Sequence, residues 1–242
     1  MPFTFSHPAI ILPFLKNKKL SATALIAGSM SPDYEYFFRM KGQLEFGHTF
    51  LGIFLIDLPL GLIVMFAFHG LIKKVFIENS PVFLQERLQE LKEFNWVQYF
   101  KSNVFTVLIS FFLGAFSHLL WDSFTHSDGF FVERFPFFYY EVGSFSVYVI
   151  AIYVIAQYVC SLIGLILIFI YIYNLPKSNT KINTINMNYW YLNALLSVII
   201  IAIRFYFGTP MDDIGIFIVS ILTPIIIAIT ISGIVFRKKS II

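Results

Sequence analysis

Apolar residues in this 242-residue chain gather in long, unbroken blocks rather than in strand-like alternation. Five blocks, roughly 50–72, 103–121, 143–173, 189–207 and 214–236, reach the ~20 residues needed to cross a bilayer. The third is overlong, so it must tilt or emerge from the membrane. Residues 20–30, LSATALIAGSM, are apolar but too short to span, and predict a buried or re-entrant helix stopped by Pro32. Between the first two blocks, NSPVFLQERLQELKEFNWVQYF (79–100) changes pattern. Ser80 and Pro81 form a helix start, and Leu84, Leu88 and Leu91 recur at helical spacing among Glu86, Arg87, Glu90 and Lys92. This predicts an amphipathic helix lying on the membrane or against the bundle.

The predicted fold is therefore all-α: a polytopic membrane bundle of about five transmembrane helices, with short N-terminal and amphipathic helices. No Pro/Gly/Ser-rich linker divides it, so residues 1–242 read as a single membrane domain. Its distinctive motifs fall in 1–145, and 146–242 adds further spans.

Composition sharpens this picture. Charged residues make up 13% of the chain, about half the ~25% of soluble domains, and mean hydropathy is +0.78. The net charge of +3 is small and scattered, which argues against nucleic acid and fits membrane lipid as the partner. Cys160 stands alone, excluding an intrachain disulfide or a CxxC zinc motif. MPFTFSHPAIILPFLKNKKL lacks a basic region before its apolar stretch, so no cleaved signal peptide is expected. With five spans, loops 1–49, 122–142 and 208–213 carry five, one and no Lys/Arg, against four, two and three in 74–102, 174–188 and 237–242. The second set is expected in the cytoplasm.

The remaining polar residues are costly where they stand. GAFSHLLWDSFTHSDGFF (114–131) closes the second span with His118, Asp122 and His126 spaced four apart. Each step of four advances a helix ~40° beyond a full turn, so the three share one stripe if the helix continues that far. His48 opens the first span, and antiparallel spans bring that end to the same membrane face as His118 and Asp122. The segment before it brings His7 and Asp33 there too, whereas His69 lies at the span's other end. Imidazole and carboxylate together suit zinc, or non-haem iron or manganese, and an open coordination position lets the ion activate water against an ester. Taken singly, each residue has a plainer role: turn residue, helix-terminus charge, interfacial histidine or buried hydrogen-bonded pair. Arg204 near the end of the fourth span either binds a substrate phosphate or carboxylate, or snorkels or pairs with Asp212 or Asp213. Asp57, ~13 Å down the first span from His48, is too deep for ligation and reads as an interhelical hydrogen-bonding residue or proton relay. The aromatic loop DGFFVERFPFFYYEVGSF is an interfacial anchor, or a lid.

The motifs MPFTFSHPAIILP, GSMSPDYEYF, GHTFLG and HLLWDSFTHSDGF resemble, over about residues 1–145, an uncharacterised family of bacterial membrane proteins classified as a domain of unknown function. That resemblance implies a bacterial inner (cytoplasmic) membrane. A more distant likeness is to predicted membrane-bound metal-dependent hydrolases, whose pattern matches here at His7, Asp33, His48, His118 and Asp122. Glu35 replaces an Asp of that pattern, Tyr36 and Gln43 stand where it has histidines, and His126 has no counterpart in it.

The expected function is a membrane-embedded metal-dependent hydrolase acting on an ester or phosphoester of a lipid or lipid-linked, amphiphilic substrate. His7, Asp33, His48, His118 and Asp122 are the expected ligands of one or two divalent ions, zinc foremost. Glu35, Asp122 or His126 is the expected general base, and Arg204 the substrate-binding residue. The alternative is a non-enzymatic scaffold or small transporter whose His/Asp cluster is a structural network.

Overall fold

The computed structural model of the chain describes residues 3–40, 46–145, 148–179, 182–208 and 214–237. Among these, five helices are long and apolar enough to cross a membrane, and the protein is integral to one. They are α3 (Phe50–Asn79), α6 (Val104–Asp122), α8 (Ile152–Tyr173), α9 (Met187–Tyr206) and α10 (Ile214–Val235). Around them lie a 3-10 helix (Thr4–Phe14), α1 (Ala22–Met30), α2 (Tyr34–Arg39), α4 (Val82–Lys92), α5 (Trp96–Ser102) and α7 (Phe130–Arg134).

The overlong third block resolves into two parts. Its first residues form a hairpin of β1 (Glu141–Phe145) and β2 (Tyr148–Ala151), and only 152–173 are helical. Gly143 weakens a helix there, while Val142, Tyr148, Val149 and Ile150 favour a strand. The first span runs past residue 72 to Asn79, taking in Lys74, whose long stem lets its charge reach water, and Lys73, which is buried. The predicted 79–100 helix is two helices, α4 and α5, with the break at 93–95. Ser80 does not cap α4; its hydroxyl donates back to Phe76 O (2.8 Å), closing the preceding helix. The residue that α4 buries is Gln85, whose amide donates to Ser80 O (2.9 Å) and Asn183 O (3.1 Å), while Leu91 stays half-exposed.

Two compact units interleave along the chain. The first comprises Met1–Tyr34, Glu45–Gly61 and Asn103–Tyr171. Its centre is the packing of α1 on α6, where Ala24, Leu25, Val107, Phe111 and Ala115 are buried. The two backbones meet at glycines: a Cβ on Gly28 would stand 2.1 Å from Phe111 O, and one on Gly114 2.3 Å from Leu25 O. Ser110 Oγ accepts from Ser21 N (2.8 Å) across the same seam. The 3-10 helix packs against both α1 and α6, and Phe3 N donates to Ser161 Oγ (2.9 Å) on α8. The second unit comprises Glu35–Leu44, Leu62–Ser102 and Ile172–Ile242. There α9 packs on α10, and α10 meets α3 where Gly233 lies against the Leu71 carbonyl.

Candidate metal centre

Local structure explains why the first unit gathers polar side chains. Pro8 and Pro13 lack the N–H groups an α-helix would use, and Thr4–Phe14 winds instead as a 3-10 helix that buries His7. After α1, Pro32 sits within a single 3-10 turn, Ser31–Asp33, which buries Asp33. The last turn of α6 supplies His118 and Asp122, both buried. His48 lies just before Thr49, whose hydroxyl caps α3 by accepting from Gly52 N (2.9 Å). The helix α6 ends at Asp122, so His126 is not on a helical stripe. A turn carries it back, with Nδ1 3.5 Å from Asp122 Oδ1. Gly129 closes that turn, since a Cβ there would meet the Asp122 and His126 carbonyls at 2.9 Å.

Four of these residues form a closed, alternating ring of imidazole and carboxylate. His48 Nε2 lies 3.5 Å from both Asp33 Oδ1 and Asp122 Oδ2. His118 Nε2 lies 3.7 Å from Asp33 Oδ1 and 3.1 Å from Asp122 Oδ2. Metal bonds of ~2.0–2.2 Å in a tetrahedron place neighbouring ligand atoms about 3.3–3.6 Å apart, so these separations suit one small divalent ion. The other oxygen of Asp122, Oδ1, faces His7 Nε2 at 3.6 Å. His7 stacks on His118 with ring centroids 3.7 Å apart.

Contacts behind the ring hold its ligand atoms in place. His118 Nδ1 is 2.8 Å from Ser29 O; a carbonyl only accepts, so Nδ1 carries the hydrogen and donates it. In neutral His118 the lone pair is then on Nε2, aimed at two carboxylates. Such an arrangement repels unless a cation or a proton lies between them. Asp33 Oδ2 accepts from Thr4 Oγ1 at 2.5 Å, leaving Oδ1 for the ring. His7 (both nitrogens), His118 Nε2, Asp33 Oδ1 and both Asp122 oxygens are buried without a hydrogen-bond partner. Buried ligand atoms without hydrogens between them, steered by outer hydrogen bonds, are the pattern a metal site requires.

The electrostatics follow from burial and these neighbours. Burial, with His118 adjacent, lowers the His7 pKa to about 3, so His7 is neutral. Burial also opposes charge on His48, but the Asp122 and Asp33 carboxylates, each 3.5 Å from Nε2, outweigh it and raise its pKa to about 10. Burial pushes the Asp33 carboxyl up, and the neighbouring His118 and His48 bring it below its ordinary value. Burial dominates at His126 and lowers its pKa.

Glu35 and Arg204 belong to the second unit. Glu35 Oε1 pairs with Arg39 Nη2 at 2.7 Å, which occupies a proposed general base with a guanidinium. Arg204 Nη2 donates to Met40 O (2.8 Å), and Asp212, Asp213 and Gln43 fall outside the described residues. His69, also in the second unit, stacks on Trp96 with centroids 5.0 Å apart. Asp57 is buried in a π-turn (Ile53–Asp57) of α3, near enough to Tyr34 to help burial raise that phenol's pKa. Thr4 and Ser29 escaped the sequence reading. Ser29 acts through its carbonyl, which leaves no side-chain signal, and Thr4 is recognisable only as a hydroxyl one 3-10 turn before His7.

A family model described as a domain of unknown function (DUF4184) matches residues 1–236, extending the likeness well past residue 145. No curated protein and no solved structure matches the chain.

Proposed function

We propose that this chain, which belongs to the DUF4184 family, is a membrane-embedded metal-dependent hydrolase acting on an ester or phosphoester of a lipid or lipid-linked substrate. The carrying observation is His118: its Nδ1 hydrogen is committed to Ser29 O, and its Nε2 faces Asp122 Oδ2 and Asp33 Oδ1. His48, His118, Asp33 and Asp122 would hold a divalent ion, zinc foremost, with manganese or iron as alternatives, and His7 with Asp122 Oδ1 offers a second position. When bound, such an ion supplies Lewis acidity and lowers the pKa of water.

His126 is the group best suited to move the proton. Its Nδ1 lies 3.3 Å from the Asp122 carbonyl, which fixes the hydrogen there, and burial keeps the ring neutral at pH 7. The lone pair of the neutral ring is then on Nε2. The substrate class follows from surroundings: Phe130, Phe135, Phe137 and Tyr140 just beyond the cluster are exposed, as suits an aromatic belt at headgroup level. His126→Ala should lower kcat on phosphodiester and lipid ester substrates by ~10²–10⁴-fold while metal content stays at the wild-type level. Loss of metal in that variant would make His126 a ligand instead. Absence of hydrolysis by zinc-loaded wild type across such substrates would end the enzymatic reading.

The rival is a scaffold or small transporter in which protons, not a metal, separate the rings from the carboxylates. The two readings differ in their response to pH. Without a cation His48 holds a proton at neutral pH, because its pKa is about 10. Ligation needs the neutral ring, so metal entry must expel that proton, and affinity should rise at least about tenfold per pH unit between pH 6 and 8. Competition against a chelator of known affinity measures this, and a pH-independent affinity would contradict ligation by His48.

A further inference from the structure

The second unit carries a cavity that the proposed chemistry does not use. It occupies about 340 Å³, within the ~300–1,000 Å³ of small-molecule sites, and is lined by the last turns of α3, by Lys92 at the end of α4, by Phe94 and by Arg237 after α10. Four cations face it, Lys73, Lys74, Lys92 and Arg237, against one carboxylate, Glu78. Their internal compensation is incomplete. Lys92 reaches Glu78, and Lys74 reaches Glu93, each only at 3.7 Å. Lys73 is buried, with Nζ donating to Phe94 O (2.7 Å) and lying 5.5 Å from the Phe94 ring centroid. An ammonium has three donors, and that carbonyl accepts one. Glu93 is the carboxylate that acts on Lys73, and Lys74 draws on the same group, so the two ammonium groups share one counter-charge and a further anion here is stabilising.

Backbone geometry makes room for the ligand. Residues Phe68–Ile72 form a π-turn, the kind of helix irregularity that gathers at functional sites, and it puts His69, Gly70 and Leu71 on the cavity wall. A Cβ on Gly70 would meet nothing within 4 Å, so the space beside it is open. The cavity lies at the ends of two spans: α3 ends at Asn79, α10 ends at Val235, and Lys92 at the end of the amphipathic α4 joins them in the lining.

We propose that this cavity is a binding site for a phosphate group, with Lys73 as its buried anchor and Lys74, Lys92 and Arg237 around its mouth. Several separate ammonium donors and a guanidinium suit a group with several charged oxygens, and basic pockets between spanning helices take phospholipid headgroups. The site is independent of the histidine–aspartate cluster and of any hydrolytic role.

The test is equilibrium binding to the purified full-length chain in phosphatidylcholine nanodiscs, with labelled dioctanoyl phosphatidic acid and inorganic phosphate as separate probes. Saturable binding of about one probe per chain is expected, weakened at least tenfold in Lys73→Gln. Gly70→Trp, which fills the open space and keeps every charge, should weaken it similarly and covers the case in which Lys73→Gln does not fold. Phosphatidic acid binding far more tightly than inorganic phosphate assigns the site to a lipid headgroup; comparable affinities assign it to a soluble phosphate. Binding of neither probe, or wild-type affinity in folded Lys73→Gln and Gly70→Trp, overturns the proposal.

Discussion

Replacing His118 by alanine is expected to abolish metal binding at the proposed site. His118 Nε2 is the ring atom nearest Asp122 Oδ2, at 3.1 Å, and it also faces Asp33 Oδ1. Its removal takes a nitrogen ligand and leaves two buried carboxylates facing each other across the gap. Asp122→Ala should be equally severe, since Oδ2 closes the ring and Oδ1 is the oxygen facing His7. Elemental mass spectrometry of detergent-purified protein is expected to give one or two equivalents of zinc, manganese or iron in wild type and a small fraction of that in either variant. Thr4→Val is the graded control. It keeps every ligand and removes only the hydrogen bond to Asp33 Oδ2, so its loss of affinity should stay within ~10–100-fold.

Stability provides a second readout of the same site. A metal present at a thousand times its dissociation constant stabilises the folded state by about 4 kcal/mol. Chelation should therefore lower the melting temperature of wild type clearly and leave His118→Ala, already without metal, where it is. A wild type that carries no metal after repletion and melts identically with and without chelator would leave the ring as a proton-bridged network, and the hydrolase mechanism would fall with it.

The parts of this site that were legible in the chain are those whose signal is a side-chain type out of place. Five blocks of apolar residues announce five spans, and His118 with Asp122 inside the second block is conspicuous because ionisable groups there are expensive. What stayed hidden was of two kinds. Helix ends depend on single competing residues: α6 stops at Asp122, so His126 reaches the site by a turn and not by helical periodicity, and Gly143 with its β-branched neighbours diverts the third block into a hairpin. The outer contacts are the second kind, because Ser29 contributes only a carbonyl. Glu35, expected as a base, pairs through one oxygen with Arg39 four residues on, a pairing that helix spacing permits anywhere.

Gly114→Ala is expected to unsettle the fold and the proposed metal site together. A Cβ at this position would lie 2.3 Å from Leu25 O, 2.7 Å from Ser29 N and 3.0 Å from Gly28 C, all backbone atoms that no rotamer change can move aside. The helices α1 and α6 must then separate by about 1 Å to reach ordinary contact, which forfeits close packing along the seam and costs about 3 kcal/mol. In a chain of this size that corresponds to a melting temperature lower by roughly 6–12 °C. The damage extends one turn further, because Ser29, on α1 beside Gly28, accepts the His118 Nδ1 hydrogen at 2.8 Å. Parting the helices lengthens that bond and frees the His118 ring to turn away from the carboxylates, so metal affinity should drop by ~10–100-fold even in the fraction that folds. Gly70→Ala is the matched control: its Cβ enters open space, and both melting temperature and metal content should stay at wild-type values. If Gly114→Ala melted like wild type and kept its metal, the α1–α6 seam would not be what positions His118.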